Sequence, residues 1–147
     1  MNKRALYATL LLATLSLPCD AMRAADADSV LRKAGSFALG GIGAAGTMSE
    51  GERALRDVLK QSDVSIRLEK LASEASPAGQ LYALLGLRIR DRTGYERTRE
   101  KLRKTDGKVQ TVRGCMLQQE SFGDLLKQIE HGDYDAFLSR EWPEHAR

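Results

Sequence analysis

Gly41-Ile42-Gly43-Ala44-Ala45-Gly46 is a literal G-x-G-x-x-G, the spacing that lets a backbone close on a dinucleotide pyrophosphate. That chemistry needs a strand before the first glycine and a helix running through the third. It also needs an acidic residue about 20 positions on, at the end of a second strand. Here Phe37-Ala38-Leu39 is a very short strand at best, and the next helix has its own start signals at Thr47 to Ser49. Asp63 and Glu69, at the right distance, belong to an amphipathic helical pattern. No cofactor is expected. Most residues from Ala34 to Gly46 are Gly or Ala. Their expected role is close packing of bare backbone against another helix, or a tight connector into the Thr47 helix, with a partner interface as the alternative.

Cys115 and His131 are the second constellation. A thiolate–imidazole pair is how cysteine nucleophiles are activated, but no third, orienting group is identifiable. A free cysteine is also among the most buried residue types, so a core position is the leading expectation for Cys115. His131 falls at the end of a predicted helix, where an imidazolium meets the dipole favourably. The run His131-Gly132-Asp133-Tyr134-Asp135 offers alternating ligand types, yet no zinc or calcium spacing supplies the remainder of a site. A structural turn is expected there, and no metal.

Arg88 to Lys104 is one-sided in charge, with eight basic against three acidic side chains. Glu96–Arg99 and Glu100–Lys104 have the spacing of helical ion pairs, so most of this is expected to be a solvated face. Arg88, Arg92, Arg97, Arg99 and Lys101 are the candidate contacts for an anionic partner. Arg88 stands apart: it projects from the most apolar helix, so it is expected to pair with a carboxylate or to lie at an interface.

These residues have to be carried by a chain of 147 residues, long enough for one modest core. Leu and Ala dominate its apolar set, which favours helix over strand. Lys3 and Arg4, the uncharged run Ala5–Leu17, Pro18 and small residues after it follow the order of a secretory signal. The apolar run is too short for a membrane anchor. Cleavage is expected after Ala21 or after Ala27. Acylation of Cys19 is a minor alternative, because Pro18 is a poor residue before a lipidated cysteine. Either simple cleavage leaves Cys115 as the single cysteine of a nearly neutral exported chain, a poor candidate for nucleic acid.

Along the body, Ser29–Leu39 reads as a first short helix or part of one. Thr47 with Glu50, or Ser49 with Glu52, forms a capping box for the next, whose stripe is Ala54, Leu55, Val58 and Leu59. Ser62-Asp63 starts a third with Val64, Leu68, Leu71, Ala72 and Ala75 on one face. Ser76-Pro77 opens a helix apolar nearly all round from Leu81 to Leu87, the expected centre of the molecule. Thr93-Gly94 separates it from a helix carrying Tyr95, Thr98 and Leu102. After the Asp106-Gly107 turn, residues 108–118 carry at most a short β segment, with Gly114 and a competing helical spacing against it. Ser121 caps a final helix with Phe122, Leu125, Leu126 and Ile129 inward, ending near Gly132. Tyr134, Phe137 and Leu138 dock a last turn, and 139–147 is a polar tail in which Trp142 could fold back.

The expected architecture is mainly α: a single domain over 29–138, a small antiparallel helical array or bundle, with HEAT-like helix pairs as an analogy. The expected function is that of an exported, periplasmic or secreted, non-catalytic protein-interaction module, of inhibitor or immunity type. The alternatives are a cysteine-dependent enzyme using Cys115 and His131, and binding of a lipid or wall polymer through the Arg88–Lys104 face.

Overall fold

The structure, a computed structural model, describes residues 19–141, with side chains described from residue 25 onward. The apolar leader to residue 18, Trp142 and His145 lie outside the described residues. The chain is mainly helical: α1 (Cys19–Arg32), α2 (Glu50–Leu59), α3 (Val64–Glu74), α4 (Pro77–Arg90), α5 (Arg92–Leu102), α6 (Phe122–His131) and α7 (Asp135–Glu141). Between them run β1 (Ser36–Phe37), β2 (Gly41–Ile42), β3 (Thr47–Met48), β4 (Lys108–Arg113) and β5 (Met116–Ser121). None of the described helices is long and apolar enough to cross a membrane.

Helix α4 is the centre, as its composition predicts. Every residue from Leu81 to Leu87 is buried, and α1, α2, α3, α5, α6, β1 and β4 all pack on it. Its start is set by Ser76, whose hydroxyl accepts from Gly79 N at 3.2 Å and donates to Ala34 O at 2.7 Å. The same cap therefore ties α4 to the segment leaving α1. Two glycines let the neighbours close in. A Cβ on Gly79 would overlap the Leu31 carbonyl, and one on Gly86 would stand 2.9 Å from the Leu68 methyls. Gly51 on α2 has the same role from the other side, facing the Tyr82 ring.

The flanking elements differ from the local sequence signals where long-range contacts intervene. The first helix is α1, which ends at Arg32 rather than reaching Leu39. Ser76 N donates to Arg32 O at 2.9 Å, and Phe37 is drawn into a strand. Helix α2 takes the second of its two capping registers: Ser49 Oγ accepts from Glu52 N at 3.0 Å, while Thr47-Met48 is strand β3. Thr93-Gly94 is no boundary. Asp91 ends α4 and caps α5 by accepting from Gly94 N at 2.9 Å, so α5 runs through both residues. Helix α7 continues to Glu141, into the stretch expected to be a tail.

The β content exceeds the short segment expected over 108–118. β4 and β5 form a hairpin reaching Ser121, and β1 adds to β4 in parallel, giving the order β1-β4-β5. Alternation explains β4, since Val109 and Thr111 face the core. Phe37 of β1 then packs its ring on Tyr82 at 4.9 Å and edge-on to Tyr134 at 5.6 Å. A two-residue strand holds because its side chain is anchored on both flanks.

The polar groups around Tyr82 are paired. The Tyr82 hydroxyl donates to Ala38 O at 2.7 Å and accepts from Ala38 N at 2.8 Å. Ser49 Oγ donates to the same carbonyl at 2.8 Å. Burial pushes the Tyr82 phenol above its ordinary value. Glu52, 1% exposed, accepts from Gly40 N at 2.8 Å and from Arg56, which also reaches Glu141 at 2.6 Å.

Two measurements test this account. Gly79→Ala forces a methyl into the Leu31 carbonyl and is expected to cost about 3 kcal/mol or more in urea denaturation. Gly123→Ala, where nothing lies within 4 Å, is expected to gain up to about 1 kcal/mol of helix propensity. Equal effects at both positions would contradict the close α1–α4 approach. The hydrogen bond from Arg56 holds the Glu141 carboxyl below its ordinary 4.5. A depressed folded-state value stabilises the fold above the unfolded value, and that gain fades as pH falls through the folded one. Glu141→Gln should therefore lower the melting temperature near pH 7, with the deficit closing in acid once the folded carboxyl is protonated. An equal deficit near pH 7 and in acid would show that α7 is held otherwise.

Candidate functional site

The glycine motif is a hairpin. β2 and β3 pair antiparallel with Gly41 opposite Met48, and residues 43–46 form the turn. Gly43 and Gly46 have φ of 69° and 61°, values that favour glycine, and a Cβ on Gly41 would meet Gly46 Cα at 2.9 Å. The close approach is thus within the hairpin and not against another helix. Ala44, Ala45 and Gly46 are exposed, and the next helix begins only at Glu50, after strand β3.

What the glycine hairpin does touch is the turn between β4 and β5. Gly43 N donates to Gly114 O at 2.8 Å, and Ile42 bridges Gly114 in parallel fashion. Gly114 itself has φ of 59°. Two hairpin turns are therefore laid side by side at one end of the molecule. Cys115 sits in the second turn and is exposed, against the expectation of a core position. A hairpin between two solvent-facing strand ends offers it no interior to enter. Met116 and Leu117 follow at 61% and 63% exposure.

β5 is the edge of its sheet, with its outer hydrogen-bonding side unpaired by any strand among the described residues. Leu117 lies opposite Val112, Gln119 opposite Gln110 and Ser121 opposite Lys108, which places these β5 residues on the sheet's outer face. The other face is tied down: Glu120 accepts from Thr111 at 2.8 Å and Gln128 at 3.0 Å, with Arg113 at 3.2 Å. Burial raises the Glu120 carboxyl, but these donors outweigh it and hold it below the ordinary range. Tyr134, whose hydroxyl donates to Gln128 at 2.9 Å, is pushed up to about 12 by burial. Cys115, Met116 and Leu117 had a sequence signal in Gly114 between two strand-like runs, but the competing helical spacing concealed it.

His131 is exposed at the end of α6, and Gly132 closes that helix in the left-handed region at φ 84°. No hydrogen bond joins Cys115 to His131 among the described residues, so the structure brings no dyad together. The His131–Asp135 run is the turn expected, and the described residues contain no group of three ligand side chains placed for a metal. Asp135 is engaged by Arg88 in a fork at 2.8 and 3.1 Å, the carboxylate pairing that was one of the two placements expected for Arg88.

The remaining arginines of the basic stretch are also engaged. Arg88, Arg92 and Arg99 stand 5.6, 5.6 and 5.9 Å from the centre of the buried Tyr95 ring. Arg92 pairs with Glu96 at 3.2 Å, and Arg99 with Glu96 at 2.8 Å. Arg103 reaches Glu130 at 3.1 Å, and Arg97 binds Glu69. Carboxylates from α3, α6 and α7 thus offset a face that looks uniformly basic along the chain. Lys101 has no carboxylate partner among the described residues.

An exposed Cys115 without an imidazole partner should alkylate in native buffer without denaturant, and His131→Ala should leave the rate within about twofold. Labelling that requires unfolding would return Cys115 to the core, and a large His131 effect would restore the dyad. No protein-family model matches the chain, and neither a curated protein nor a solved structure matches it.

Proposed function

We propose that this chain is an exported, non-catalytic protein-interaction module that engages its partner through the end formed by the two hairpin turns and the edge of β5. The observation that carries the reading is the pair Met116 and Leu117, more than 60% exposed at the start of an unpaired edge strand. Soluble proteins guard such edges with charge, proline or a covering element. The outer-face residues Leu117, Gln119 and Ser121 supply none of these. The partner it fits is a protein offering an extended strand, whose backbone adds to β5 while an apolar side chain covers Leu117. Blocking another protein in this way is what an inhibitor or immunity-type protein does.

The Arg88–Lys104 face is the weaker candidate for this contact, because its arginines are spent on internal carboxylates. Export rests on the leader pattern of the first 21 residues. Of the two cleavage positions, Ala21 suits the fold better: Ala27 is 5% exposed within the core, and cutting after it would remove that residue.

The chain purified from the native extracytoplasmic fraction should begin at Met22 by mass spectrometry and carry a stoichiometric protein partner. Leu117→Lys should weaken the isolated complex at least about tenfold, and a bulky maleimide on Cys115 should do the same. Arg92→Glu should leave affinity within about threefold. Loss of binding on Arg92→Glu with no effect of Leu117→Lys would move the contact to the basic face and overturn this reading.

A further inference from the structure

A cleft of about 280 Å³ lies between α3, α4 and α5, on a different side chain set from the hairpin end. Its size is at the small end of ligand sites, which run from about 300 Å³ upward. Ala72 of α3 and Leu102 of α5, both buried, give it an apolar floor. On α5, Lys101 lies about one turn from both Arg97 (i,i+4) and Thr98 (i,i+3), and all three line the cleft. Gln80 of α4 completes the polar lining.

Three of these polar groups are unspent. The Lys101 ammonium has no carboxylate partner, and the Gln80 amide makes no side-chain hydrogen bond, among the described residues. Thr98 is only 6% exposed, yet its hydroxyl also makes no hydrogen bond there. A buried helical threonine ordinarily bonds back to the carbonyl of the preceding turn. The Thr98 hydroxyl is therefore open to the cleft rather than sealed in the core, and is free to bond a ligand there. Ser73, by contrast, donates to Lys70 O at 2.8 Å and is already satisfied.

The charge count sets the ligand's sign and size. Arg97 and Lys101 are the basic groups and Glu69 is the acidic one, already on Arg97. One positive charge is left over. We propose that this cleft binds a small monocarboxylate, its head group held by Lys101 with Thr98 and Gln80, and its short apolar portion lying on Ala72 and Leu102. A monoanion matches the single uncompensated charge. A phosphate dianion would exceed it and would leave the apolar floor uncovered. The site is independent of the hairpin end, so either proposal can fail alone.

Butyrate, butyramide and inorganic phosphate serve as probes in an NMR titration of the full mature chain. Butyrate should shift the backbone amides of residues 69–73 and 97–102 and saturate below about 50 mM. Lys101→Gln should weaken it at least about tenfold, and Lys104→Gln, outside the cleft lining, should not change it. Thr98→Val should leave the melting temperature unchanged or raised, because the hydroxyl it removes is unpaired, while weakening butyrate severalfold. Four outcomes overturn the proposal: no saturable shift, an equal response in Lys101→Gln, butyramide binding as tightly as butyrate, or phosphate binding more tightly. A Thr98→Val protein that is destabilised would show the hydroxyl already satisfied, and would overturn its assignment to the ligand.

Discussion

The burial of α4 on every side is the constraint on which the other elements depend. A helix with no solvent-facing flank between Leu81 and Leu87 must be ringed by other elements, and each neighbour must come close enough to leave no void. Gly79 and Gly86 make that approach possible on α4, and Gly51 does so from α2. Fully burying one leucine-sized side chain contributes about 1.5–3 kcal/mol. A continuous run of such residues therefore outweighs the modest propensity of any flanking segment, which explains why the neighbours adjust to α4 rather than the reverse.

Enclosing a helix this completely also requires that each polar group carried inside be met. The Tyr82 hydroxyl is the meeting point, joined to both backbone groups of Ala38 and lying 3.3 Å from Ser49 Oγ. Leaving one buried donor or acceptor unmade costs about 1–3 kcal/mol. From Ser49 the pairing continues through Glu52 to Arg56 and Glu141. That chain of contacts fixes where α2 begins and ties α7 to α2 through the Arg56–Glu141 ion pair. A buried ion pair is weak evidence for net stability, but it is specific, because removing one partner strands the other. The network acts here as a locator for the ends of elements.

Charge is distributed by the same rule. Along the chain, Arg88 to Lys104 looks like a cationic surface, whereas in space its arginines converge on Tyr95, Glu69, Glu96, Glu130 and Asp135. Arginine suits this work, since its planar fork can bind a carboxylate and stack on a ring together. Among the described residues the basic stretch leaves Lys101, at the α3–α4–α5 cleft, and Lys104 without a carboxylate, Glu100 being taken by Arg103. The apolar surface left open lies elsewhere, at Met116 and Leu117.

Local chemistry by itself determined the elements whose signals are complete within a few residues. Ser76-Pro77 starts α4, Ser121 starts α6 and Gly132 ends it, and the inward faces of α3 and α6 follow the helical repeat of their apolar residues. That Arg88 needed a counterpart was legible too, though the sequence left open whether a carboxylate or an interface would supply it. Tertiary structure alone decided the rest. Phe37 becomes a strand only because β4, more than 70 positions away, offers it a partner and Tyr82 a seat. Thr47 yields its cap to Ser49 because Ser49 is also bound to Ala38. Cys115 is exposed because Gly114 turns the chain against Gly43. In each case a local preference worth about 1 kcal/mol competes with a long-range contact worth as much or more, and the contact wins.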